Sequence, residues 1–241
     1  MAVPNYSIGP VTEADHPTLI TYLQASKLQL AINRFIFEDW PNESGQRENY
    51  TGMLALVLPL HFFFAVWTFA DEGIRPFTGP LNPDETSLKI VNDETGEIVG
   101  HIVYTKTKTT RLTAAEKTEK AREAAAAVPK HVVPAVYSVM IHAVMDLAPE
   151  FEADEYIDLT HFYVEPKSRG KGIGEWLVKT AHDAAKDAGI PFTVCAEPND
   201  HEFLVSCGFR DVKTADIDLV PFAAPMSGYG VFRLFRMIMS A

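Results

Sequence analysis

The stretch Asp158 to Val178, DLTHFYVEPKSRGKGIGEWLV, decides how the chain is read. Apolar and β-branched content predicts a strand over Tyr156 to Val164, and a helix over Gly172 to Ala188 that Gly189 stops in the left-handed conformation. Between them stand Gly170, Gly172 and Gly174. Glycines at a strand-to-helix turn let the backbone bend sharply and bring successive N–H groups close to a ligand, and the helix start adds partial positive charge. Arg169 and Lys171 add full charges, so the loop reads as a pyrophosphate cradle. The dinucleotide fingerprint needs Gly-x-Gly-x-x-Gly and the Walker loop needs Gly-Lys-Ser/Thr; the order Arg-Gly-Lys-Gly-Ile-Gly satisfies neither.

Downstream of this unit, Pro191 to Ala196 predicts a strand, Asp200 to Ser206 a short helix, and Phe209 to Val212 with Gly230 to Met237 two closing strands. Upstream, Tyr6 to Val11 reads as a strand, and Thr12 caps a helix with Asp15 in its first turn. Ser87 to Val91 and Glu97 to Tyr104 flank a tight turn, as two antiparallel strands do. Thr113 to Ala127 is Ala-rich and charged, opens on the capping box Thr113-Ala114-Ala115-Glu116, and predicts an exposed helix; Pro134 to Leu147 predicts a second, apolar one. The two form a helical insertion over 110–150, readable as a lid, a structural decoration or a homodimer contact. No repeat or interdomain linker divides residues 1–241, so a single domain is expected.

The loop resembles that of the GNAT acetyltransferases, whose acetyl-CoA loop is Arg/Gln-x-x-Gly-x-Gly/Ala after a strand ending in Val-x-Pro. Here that is Arg169-x-x-Gly172-x-Gly174 after Val164-Glu165-Pro166, with Cys207-Gly208-Phe209 where the family has Leu-Gly-Phe and Gly-Glu-Ile-Val-Gly at Gly96 to Gly100. The resemblance covers 154–210 best and does not extend to the Leu/Phe-rich segment or the insertion. It implies an α/β (α+β) fold with a mixed, mainly antiparallel central sheet flanked by helices, and acetyl-CoA as cosubstrate with no metal. It also implies that Phe162, Tyr163 and Val164 pair with the pantetheine arm, that Arg169, Gly170, Lys171, Gly172, Ile173 and Gly174 hold the pyrophosphate, and that Asn199 touches the arm. Most members place a Tyr four residues before the Gly of the Gly-Phe pair as acid for the departing sulfur; this chain has Leu204 there.

An alkylamine of pKa about 10 must lose a proton before it attacks a thioester, so a base or a water chain is needed. Strict alternation places Asp158, Thr160, Phe162 and Val164 on one strand face and Leu159, His161 and Tyr163 on the other. The family's bases commonly lie two or four residues before Phe162, which makes Asp158 the expected base and Thr160 its relay. A bulge would put His161 in their place.

Composition agrees with a folded enzyme: 241 residues, 47 % hydrophobic, 22 % charged. The net charge of −11 is concentrated in residues 1–100, where 13 acids face 5 bases. That excludes nucleic acid as a natural partner and favours a cationic one. Cys195 and Cys207 are too few for a disulfide framework and read as reduced packing residues of a cytoplasmic protein. The apolar run from Met53 to Ala70 approaches the length of a membrane span, but Pro59, His61 and Thr68 interrupt it and no basic cluster flanks it; a buried helix or pocket wall is expected instead. Three functions stay open: acetyl transfer to a primary amine of a small molecule or peptide, a non-catalytic acyl-CoA binding module, and a membrane-bound acyltransferase.

Overall fold

The computed structural model describes residues 2–56, 84–150 and 152–239, with the side chains of 52–56 left aside. β1 (Tyr6–Pro10) is followed by α1 (His16–Leu28), α2 (Asn33–Ile36) and α3 (Glu43–Leu56). α1 starts where Thr12 donates its backbone N–H to Asp15 Oδ2 at 2.7 Å. β2 (Glu85–Asn92) and β3 (Ile98–Lys108) form the expected hairpin, and α4 (Ala114–Ala126) and α5 (Pro134–Asp146) the expected helix pair. The capping box of α4 closes both ways: Thr113 N–H donates to Glu116 Oε2 at 2.7 Å, and Glu116 N–H to Thr113 Oγ1 at 3.3 Å. Then come β4 (Glu155–Val164), α6 (Ile173–Ala188), β5 (Phe192–Ala196), α7 (Pro198–Ser206), β6 (Arg210–Asp218) and β7 (Val231–Met239). Gly189 stops α6 at φ +66°. β6 runs on to Asp218, beyond the stretch ending at Val212 that the sequence suggested, and α7 begins at Pro198 rather than Asp200.

The strands form one sheet in the order β1-β2-β3-β4-β5-β7-β6, antiparallel throughout except for β4 beside β5. Its two faces carry separate cores. On one, Ile173, Leu177, Ala181 and Ala185 of α6 pack against Ile90, Ile102, Leu159, Phe192 and Met237. On the other, Ile20, Ile36, Val136, Met140, Ile141 and Val144 pack with Ile217, Phe232 and Leu234. α5 is therefore part of the second core, on the face opposite α6, and α4 packs onto that core through Ala121, its one buried residue, with Ala124 partly buried beside it. The residues suggested as a lid thus include a helix the fold is built on. Most of the apolar run at 53–70 lies outside the described residues; its first four residues end α3. Among the described residues no helix is long and apolar enough to cross a membrane. Cys195 and Cys207 are unbridged.

Candidate active site

β4 pairs with β3 through His161↔Val103 and then Leu159↔Tyr104, so Thr160 is an extra residue opposite nothing, a β-bulge. Its hydroxyl donates to Val103 O at 3.0 Å. One added residue flips the alternation that follows. Ile157, Leu159, Phe162 and Val164 consequently all pack under α6. On the opposite face, Asp158 meets Arg236, His161 has its ring 5.0 Å from that of His101, and Tyr163 stacks on Tyr22 of α1 at 4.8 Å. This corrects the unbroken alternation expected from sequence: Asp158 and His161 share a face, and Phe162 and Val164 do not share it with them. Thr160, expected to relay protons from Asp158, gives its hydrogen to the sheet backbone instead.

β4 and β5 pair only from Ile157 to Leu159. Beyond that register Cys195 and Ala196 pair with β7 alone, and His161 to Val164 with β3 alone, so the two parallel strands part. Glu165 donates its N–H to Val99 O at 2.9 Å. By the two-residue repeat of an antiparallel ladder, Tyr163 and His161 also turn their backbone to β3, leaving the backbone of Phe162 and Val164 toward the gap. Val164 O accepts from Arg169 Nε at 3.0 Å. Of the three residues expected along the pantetheine arm, Phe162 and Val164 face the gap and Tyr163 does not.

The loop that follows has Gly170 at φ +72° and Gly172 at φ +84°, where side chains are strained. Gly172 caps α6, taking the N–H of Trp176 at 3.0 Å. The amides of Gly170 to Glu175 have no hydrogen-bond partner among the described residues, so the loop and first helical turn present a row of donors. Ile173 contributes its amide there, its side chain being buried. Lys171 Nζ lies 3.2 Å from Tyr6 OH. Gly174 serves another purpose: a Cβ there would come within 2.8 Å of Phe203, whose ring stacks on Phe162 with centroids 5.2 Å apart. Asn199 is exposed near the start of α7, and Glu197, just before that helix, pairs with Lys27 from the end of α1. Beside them, burial and the charge of Glu197 push the Asp200 carboxyl up to about 6. Leu204 is 2 % exposed in the core under α6, so no acid stands at that position.

The side chain that sequence reading missed is Arg236. It donates from Nη1 to Asp158 Oδ1 at 3.0 Å and from Nε to Leu147 O at the end of α5 at 2.9 Å, with both charged partners buried. Its signal was present: in VFRLFRMIM an arginine occupies the same face as Phe232 and Leu234. Asp158 is 3 % exposed; burial raises its carboxyl to about 6 against the pull of Arg236. Burial likewise raises the Cys195 thiol to about 11 and holds His101 neutral by lowering it to about 3. Cys195 is thus a poor nucleophile at neutral pH.

A parted pair of parallel strands next to a glycine loop rich in amide donors is a place to receive an extended anionic ligand between strands and at a helix start. The chain belongs to the GNAT family: the sequence pattern of the acetyltransferase (GNAT) domain matches residues 68–218. Family members use acetyl-CoA as cosubstrate, and the amides of 170–175 with the strand edge at Phe162 and Val164 fit such a molecule. No curated protein sequence matches significantly. Among solved structures, the polyamine N-acetyltransferase of Drosophila melanogaster, which forms N-acetylagmatine, is similar at TM-score 0.59 and 13 % identity over 98 % of this chain and 100 % of that one. An agmatine N-acetyltransferase is similar at TM-score 0.58 and 14 % identity over 98 % and 100 %. The arylalkylamine N-acetyltransferase 2 of Aedes aegypti is similar at TM-score 0.56 and 13 % identity over 98 % and 99 %. At these identities the likeness is one of fold.

CoA should raise the melting temperature, since a ligand of the folded state alone stabilises it by about 2.7 kcal/mol at a hundredfold excess over its dissociation constant. NAD and ATP, which also carry pyrophosphate, are expected to do much less in the same thermal scan; equal shifts would make the loop a generic phosphate site.

Proposed function

We propose that this protein transfers the acetyl group of acetyl-CoA to a primary amine of a small molecule, by direct attack. The observation that carries the proposal is the opening between β4 and β5 beside the unpartnered amides of 170–175. The names of the similar structures, acetyltransferases of polyamines, agmatine and arylalkylamines, support an amine as acceptor. Acetyl-CoA supplies an activated acyl group whose thiolate, of ordinary pKa about 8.5, leaves without an acid, so Leu204 is compatible with turnover. The amine approaches from the face opposite α6, where Asp158, paired with Thr193, stands one residue before the last paired register, Leu159 with Val194. Its nitrogen bonds the carbonyl carbon as the carbon–sulfur bond breaks, and the proton it sheds passes to Asp158, directly or through water. A carboxyl raised to about 6 is ionised at neutral pH and basic enough to serve. His161 is the second reading, because the bulge turns it to the same face. The acidic surface of the first hundred residues suits a cationic acceptor, and the reaction is one of the cytoplasm.

Asp158→Asn keeps the shape and still accepts from Arg236 Nη1, so it should lower kcat by about 10²-fold with little change in CoA affinity. The base works ionised, so the wild-type rate should rise with pH through about 6, and the variant should lose that limb. A variant with wild-type rate and profile would pass the role to His161. If no amine is acetylated by the wild type although CoA binds, the chain is an acyl-CoA binding module.

A further inference from the structure

Glu85, the first residue of β2, is 8 % exposed, and neither carboxylate oxygen has a hydrogen-bond partner among the described residues. Burial alone acts on its titration and pushes it up to about 8; no neighbouring cation contributes. A buried carboxyl without any partner is costly, and a β-strand position can be filled far more cheaply by Thr, Val or Gln. The sheet shows where it points. Leu88 and Ile90 lie on the α6 side, so alternation turns Glu85 and Ser87 to the opposite face, where Ser87 Oγ meets His101 Nε2 at 3.0 Å. Glu85 stands directly across from Thr105, and Thr105 directly across from Asp158, which faces Thr193 in turn. These four polar residues form one row across the sheet, on the face from which the amine approaches. Thr105 Oγ1, between the two acids, is also buried without a partner among the described residues.

We propose that Glu85, with the Thr105 hydroxyl, is a subsite for a second cationic group of the acceptor, so that the preferred substrate is an alkyl diamine or an alkylamine bearing a guanidinium. This rests on the transfer reading and deepens it. The reacting nitrogen lies uncharged near Asp158, and the far cation lies at Glu85, two strand spacings or about 10 Å away across the sheet. A chain of six methylenes spans that interval. The cation supplies the partner that the buried carboxylate lacks.

The test compares hexane-1,6-diamine with 1-aminohexane, of equal length but lacking the second charge. Wild-type enzyme should favour the diamine in kcat/KM. Glu85→Gln should lower the ratio of the two values by 10- to 100-fold, the cost of a lost charge-assisted bond. A merely structural Glu85 would change both substrates alike, and an unchanged ratio overturns the proposal. Calorimetric titration of hexane-1,6-diamine into wild-type protein saturated with CoA gives a readout independent of the variant's folding. One bound diamine, with 1-aminohexane binding at least tenfold more weakly, supports the subsite even if no product forms, in which case the transfer reading fails alone. Equal binding of the two amines, or none, removes the subsite while leaving turnover of 1-aminohexane free to uphold the transfer reading.

Discussion

Valine at position 172 should weaken CoA binding about 10³-fold. Gly172 sits at φ +84°, a region closed to β-branched residues, so the loop must rearrange to admit the side chain. On the proposed binding of CoA, rearrangement turns the amides of 170–173 away from its diphosphate. Loss of two charge-assisted hydrogen bonds at about 1.5–3 kcal/mol each amounts to about 4 kcal/mol, or three decades of affinity. The fold itself should survive, since an added Cβ would meet only Val3 Cγ2, at an ordinary 3.7 Å. Calorimetry with CoA, alongside a thermal melt of the free protein, separates the two effects. Wild-type affinity in a folded Gly172→Val protein would remove the loop from the binding site.

Arg236→Met should cost about 3–5 kcal/mol of stability at pH 8, because it leaves the Asp158 carboxylate buried without its counter-charge. The pH dependence identifies the cause. The folded-state pKa of Asp158 already lies above the ordinary 3.8, so ionising it costs stability as pH climbs from 3.8 through about 6. Without Arg236 that pKa rises further, and the loss continues to higher pH. Below pH 4 the carboxyl is protonated in both states and the deficit should shrink to lost packing. Urea unfolding at pH 4 and pH 8 measures both; equal deficits would mean that the ion pair contributes nothing and that only the volume of the arginine matters.

The strand, glycine turn and helix around 154–189 were legible in the sequence because their determinants are local: strand formers, glycines and a left-handed stop lie within a few residues of what they shape. The capping box of α4 was legible for the same reason. Thr160 was not, since a bulge is fixed by how β3 faces β4, and nothing within DLTHFYV says which residue is the extra one. Arg236 was missed because its partner Asp158 is 78 positions away, and the strand carrying it was read for apolar content rather than for the face its charge occupies. The far end of β6 escaped because DVKTADID is mostly polar and only Ala215 and Ile217 turn toward the core, too few to impose a visible period of two; an outer strand held by one neighbour needs no more. Glu85 entered the sequence reading only within the count of 13 acids in residues 1–100, and it took the row across four strands to give it a direction.

The two rims of the sheet bear on how this protein behaves in a crowded solution. Among the described residues the seven-stranded sheet does not close and leaves an outer strand at each side, and an outer strand is a template on which other chains can polymerise. β1 is five residues long and ends in Pro10, which has no N–H to offer an incoming strand. β6, nine residues long, carries Arg210, Asp211, Lys213, Asp216 and Asp218, and Asp216 is clamped to Arg233 of its neighbour at 2.6 and 2.7 Å. An approaching strand would have to strip water from these charges. The polar sequence that makes β6 hard to read as a strand thus also opposes edge-to-edge pairing of copies of the protein.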